Sequence, residues 1–168
     1  RAAAEELGDQ EGYGRACEEL GARCLDPQRG AAFWEQAAIA WTNLGAGFEA
    51  KIEPALDASF QRDPTRPVAF DRLFRRVRER KDSDKLLDLV ERRLAVTDDA
   101  TEIAKLYWEQ ARVLREKGDP DGALEALEHV TDFDENHVGA LALTGEIFIK
   151  RGQFAEAAKE AGYQPLLT

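Results

Sequence analysis

A pattern that returns after 34 residues constrains this chain more than any other feature. Tyr107, Ala111, Leu114, Gly118 and Ala123 are followed, at one fixed offset, by Leu141, Gly145, Phe148, Gly152 and Ala157. Within the first of these copies, residues 106–133, apolar side chains recur at helical spacing on both sides of Gly118-Asp119-Pro120. That predicts two amphipathic helices joined by a tight turn. A period of this length is the mark of helical hairpins stacked in an array.

A chain of 168 residues has room for one ordinary domain or for four to five such hairpins. Its charge narrows the partners. Lys and Arg number 23 against 33 Asp and Glu, a net charge of −10, which argues against bulk binding to nucleic acid or to an anionic membrane. No apolar run approaches the roughly 20 residues needed to span a bilayer. The chain opens on Arg1 without a signal peptide and contains no Met. We therefore expect a piece of a larger protein, whose targeting signal can lie outside it; the location is left unknown, with the cytoplasm favoured. Cys17 and Cys24 stand seven apart on one predicted helix, about 10 Å along its axis. That is too far for a disulfide, so buried free thiols are expected.

Taken in order, residues 1–27 read as a partial first hairpin. A helix tail ends at Gly8-Asp9, and a second helix over 11–24 buries Tyr13, Ala16, Cys17, Leu20 and Cys24. Asp26-Pro27 ends it, since proline disfavours helix in the residue before it. The repeat array is expected over 28–162. Its first hairpin carries Phe33-Trp34-Glu35-Gln36-Ala37, nearly the same five residues as Tyr107-Trp108-Glu109-Gln110-Ala111. After a Gly45-Ala46-Gly47 turn, Ile52, Leu56 and Phe60 form the stripe of the return helix. The next hairpin starts at Pro67, a good first-turn residue, with Phe70, Leu73, Phe74 and Val77 inward. Asp82 or Ser83 caps its partner helix, which buries Leu86, Leu89, Val90 and Leu94. Thr97-Asp98-Asp99 leads into the 101–132 hairpin, where Asp119-Pro120 supplies an N-cap and a first-turn proline. A last hairpin turns at Gly152 and stops at Gly162, leaving 163–168 as a tail.

The period, the small residues Ala111, Ala123, Gly145 and Ala157, and the turn glycines Gly118 and Gly152 resemble the tetratricopeptide repeat family. The resemblance is strongest over 101–161. It implies an all-α fold, a right-handed α-solenoid of antiparallel helix pairs, in which the small residues permit close helix approach. It also implies a concave groove, lined by the first helix of each pair, that binds a peptide or a partner protein. Phe74 and Leu86 depart from the pattern where small residues are usual, and Glu135 stands in place of a terminal proline.

On that analogy Trp34, Trp41 and Trp108 face the groove as aromatic anchors; packing between repeats is the alternative. Arg72, Arg75 and Arg78 of the third hairpin, with Lys105 and Arg112 of the next, make a basic patch in an acidic chain. Such a patch suits an acidic peptide, a C-terminal carboxylate or a phosphorylated tail held by guanidinium forks, unless Asp71, Glu79 and Glu109 neutralise it. Asp132, Asp134 and Asn136 imitate the start of a calcium loop. His137 and Leu143 stand where that loop needs Gly and Glu, so the segment reads as a capping loop. No catalytic set, cofactor motif or metal-ligand spacing is present. The expected role is a non-enzymatic interaction scaffold. The alternatives are a spacer or self-associating segment of a longer array, and a regulatory arm of an enzyme.

Overall fold

The computed structural model describes the backbone of residues 2–160 and the side chains of residue 6 and residues 8–155. Among the described residues there are eight α-helices, one short 3-10 turn and no strand. The helices are α1 (Ala2–Arg23), α2 (Pro27–Leu44), α3 (Glu49–Arg62), α4 (Pro67–Glu79), α5 (Ser83–Leu94), α6 (Ala100–Glu116), α7 (Pro120–Phe133) and α8 (Val138–Glu160). The chain divides into two compact units, Arg1–Val96 with α1–α5 and Thr97–Thr168 with α6–α8. Consecutive helices within each unit pack on one another.

The turn chemistry places the helix starts. Asp26, Asp82, Asp99 and Asp119 each accept a backbone N–H from the residue three positions on, at 2.7–3.1 Å. Pro27 and Pro120 follow two of these caps, and Pro67 opens α4, where no side-chain cap bond is made. In each case a donor left unpaired by helix geometry is satisfied, or is absent. At the start of α6 the Thr97 hydroxyl also donates to the Glu102 carboxylate at 2.5 Å.

In the first unit Ile52, Leu56 and Phe60 of α3 are buried with Leu73 and Val77 of α4 and Leu89 and Val90 of α5. Phe70 packs between Phe60 and Phe74, with ring centroids 5.7 and 5.6 Å away. Leu94 is only half-buried; the buried residue of that turn is Arg93, whose guanidinium donates to the Pro64 carbonyl at 2.7 Å. In the second unit Ala111, Ala123, Ala126, Leu127, Val130, Ala140, Leu143 and Ile147 form one core.

Two expectations are corrected. Residues 8 and 9 make no turn, because α1 runs unbroken from Ala2 to Arg23. Its inward face is Gly14, Cys17 and Gly21, while Tyr13, Ala16 and Leu20 are exposed. The cause is the bulk on α2: a Cβ at Gly14 would lie 2.8 Å from the Trp41 ring, and one at Gly21 2.8 Å from Trp34. Only glycine allows this approach. Cys17 is buried and Cys24 half-buried, both as free thiols. The return helix of the last hairpin is not formed either. Gly152 lies inside α8, which continues to Glu160. After Gly118 come a capping aspartate and Pro120; after Gly152 come Gln153 and Phe154, which neither cap a new helix nor stop the old one. The inward face of α8 is accordingly Ala140, Leu143 and Ile147, while Leu141 and Phe148 are exposed. No side chain would be met by a Cβ at Gly145. The expected end at Gly162 and the side chain of Ala157 lie outside the described residues.

Candidate partner-binding surface

The three tryptophans differ in availability. Trp41 is 0% exposed. Its indole N–H donates to Glu18 at 2.9 Å, its ring stacks on Phe48 at 5.3 Å, and the Lys51 ammonium stands 4.5 Å from its centroid. It is core, so the anchor role expected of it is withdrawn. Trp34 is half-buried, with part of its ring against Gly21 of α1. Trp108 is also half-buried, packed towards Gly139, with the His137 ring at 5.0 Å and the Arg112 guanidinium at 5.9 Å. Each keeps part of its ring accessible, and packing takes the rest.

The arginines of the first unit sort into committed and open groups. Arg62 donates from α3 to the carbonyls of Ala22 and Cys24, at 3.0 and 2.7 Å, closing the end of α1. Arg66 grips Glu35 through two bonds of 3.0 and 3.1 Å. Glu35 is a buried carboxylate, and its hydrogen bonds raise the Arg66 pKa above the usual value against the opposing effect of burial. Arg76 binds Glu49 at 2.6 Å, and Arg80 binds Glu53 at 2.5 Å. Burial alone would raise the Glu53 carboxyl; bonds from Arg80 and Lys85 outweigh it and hold its pKa below the ordinary value. Arg78 is engaged within the fold as well.

Arg72 and Arg75 are different. They stand three apart on α4, so their side chains are neighbours. Arg75 is exposed and Arg72 half-buried, and neither makes an ion pair among the described residues. Exposed Val68 lies one turn before them. In the second unit Lys105 is exposed on α6, and Arg112 shares its charge with Glu109 at 3.3 Å.

The Glu35–Arg66 pair escaped the sequence reading. Its signal was there: Glu35 shares the α2 face of Ala31 and Ala38, a stripe otherwise apolar, and such a carboxylate needs a buried partner. His137 was likewise unassigned; its Nδ1 accepts the Ala140 backbone N–H at 3.0 Å and caps α8.

Among the described residues no group of three or more His, Cys, Asp or Glu is placed to hold a metal. None of the described helices is long and apolar enough to cross a membrane.

These features define an all-α protein of tetratricopeptide-like helical-repeat fold. No family model matches the chain, and no curated protein matches it in sequence. Its fold is similar to a crystal structure of MamA, with TM-score 0.57 and 22% identity over 92% of this chain and 86% of that one. A second structure of MamA protein matches with TM-score 0.57 and 21% identity, covering 99% and 93%. MamA from residue 41 to its end, from Desulfovibrio magneticus RS-1, matches with TM-score 0.51 and 17% identity, covering 91% and 92%. At these identities the likeness is one of fold.

Proposed function

We propose that this chain is a non-enzymatic protein–protein interaction scaffold, and that the α4 surface around Val68, Arg72 and Arg75 receives an acidic peptide segment or a C-terminal carboxylate. The observation that carries this reading is the pair of uncommitted guanidinium groups on a helix whose other arginines are spent on internal bonds. Leaving two such cations without an ion pair, in a chain of net charge −10, provides a local attraction that the remaining surface opposes. Only a partner that reaches the patch gains from it. The surface is borne on a packed helix, so the receptor loses little conformational freedom on binding. Trp108, Lys105 and Arg112 offer the second unit a smaller contact of the same kind. Neither nucleic acid nor a membrane is the partner in this reading, and a cytoplasmic setting goes with thiols that remain free.

A photo-crosslinking residue in place of Val68 tests the proposal. In cells of the source, a discrete adduct is expected, and it should disappear when Arg72 and Arg75 are both replaced by Glu. Absence of any adduct, or one indifferent to the double replacement, contradicts the proposal. The packed tryptophans support a second reading, a structural spacer in a longer array. A spacer would give no adduct at position 68.

A further inference from the structure

The second unit carries a cleft that the proposed α4 contact does not use. It has a volume of about 260 Å³ and lies where the α6–α7 turn meets α8. Pro120, Ile147 and Phe154 give it apolar walls, and three cations, Arg115, Lys150 and Arg151, line it together with one carboxylate, Glu146. The volume falls below the roughly 300–1,000 Å³ of pockets that hold whole small molecules. It suits one anchoring side chain.

The charge around it is segregated. No Lys or Arg occurs between Gly118 and Ile149, a stretch that holds eight acids. Four cations of this unit flank that stretch, Arg115 and Lys117 before it and Lys150 and Arg151 after it. Glu146 is shared by two of them, accepting from Arg115 at 2.5 Å and Lys150 at 3.2 Å, and Arg151 pairs with Asp121. One carboxylate thus serves two cations, so an incoming carboxylate finds donors without breaking the network. Phe154 is 76% exposed, a large ring at the cleft with its apolar surface uncovered.

We infer that this cleft is a docking site for an acidic peptide segment bearing one apolar anchor residue, the anchor lying between Pro120, Ile147 and Phe154 and its flanking carboxylates meeting Arg115, Lys150 and Arg151. Apolar walls select the anchor, and the cations select its neighbours, so neither feature alone suffices.

The test is a nuclear magnetic resonance titration of the full chain with three acetylated, amidated pentapeptides. One has phenylalanine flanked on each side by two glutamates. The second has serine at the centre, and the third has phenylalanine flanked by lysines. The first should produce saturable shifts at Gly118, Ile147 and Lys150, and the other two should not. Phe154→Ser and Lys150→Glu alter exposed side chains, so the fold persists, and each should weaken the interaction about tenfold. The inference is overturned if the serine peptide shifts the same resonances equally, if the shifts map elsewhere, or if both variants bind like the parent. It is also overturned if these resonances move with protein concentration alone, and cease to do so in Phe133→Ser. The occupant would then be a second copy offering Phe133 between Asp132 and Asp134.

Discussion

Glycine acts in opposite ways at different positions of this chain. Gly14 and Gly21 let α1 approach the tryptophans of α2, with no room for a Cβ. Gly14→Leu should therefore cost about 1–3 kcal/mol by overpacking, read as a lower urea midpoint. Gly145 meets open space inside a helix, so Gly145→Ala should stabilise by about 0.5–1 kcal/mol. A loss of stability there would place an unseen neighbour against α8. Charges follow the same logic. Arg66→Ala leaves the buried Glu35 without its two bonds and should cost about 1–3 kcal/mol. The double variant with Glu35→Ala should cost less than the sum of its parts, as a thermodynamic cycle would measure. Glu53 supplies a pH dependence. Folding lowers its pKa from 4.5, so the unfolded chain binds the proton more tightly. Its contribution is complete above about pH 4.5 and is lost as the pH falls through the folded value. Glu53→Gln should flatten stability across that window and leave its acid side little changed.

Among the elements, α8 departs furthest from the repeat. Gly118 has φ +79 in a turn; Gly152 occupies the corresponding repeat position inside a helix and has no positive φ. Gly118→Ala should therefore destabilise by about 1 kcal/mol, whereas Gly152→Ala should stabilise by about 0.5–1 kcal/mol. Destabilisation by both would mean that α8 turns back at Gly152. Beyond Ile147, α8 exposes Phe148, Ile149 and Phe154, so amides 148–155 should exchange with solvent faster than those of residues 104–130. Helix starts were legible wherever Asp or Pro supplied a local stop or cap, as at Asp26, Pro67, Asp82 and Asp119. The inward stripe of α3 was legible because its own large apolar residues mark it. The inward face of α1 was not, because its small residues take their meaning from tryptophans on another helix. The site divides in the same way. Exposed arginines were visible as a basic run, but their commitment depends on acids about 30 residues away, such as Glu49 for Arg76 and Glu53 for Arg80. The burial of Trp41 likewise depends on Phe48, Lys51 and Gly14 around it.

For the molecule as a whole, an acidic surface and a few open cations define what it can receive. On the proposed function, the net charge of −10 would repel an acidic partner at a distance, and Arg72 and Arg75 would attract it on contact. Added salt weakens both effects, though differently, since the short-range bonds are screened less than the long-range repulsion. The central claim is that a partner protein binds through those two guanidinium groups. Calorimetric titration of the partner recovered at position 68, against the parent chain and the Arg72→Glu, Arg75→Glu variant, tests it most directly. The account predicts at least about a tenfold loss of affinity, with helix content and urea midpoint unchanged. Equal affinity for the two proteins would contradict it.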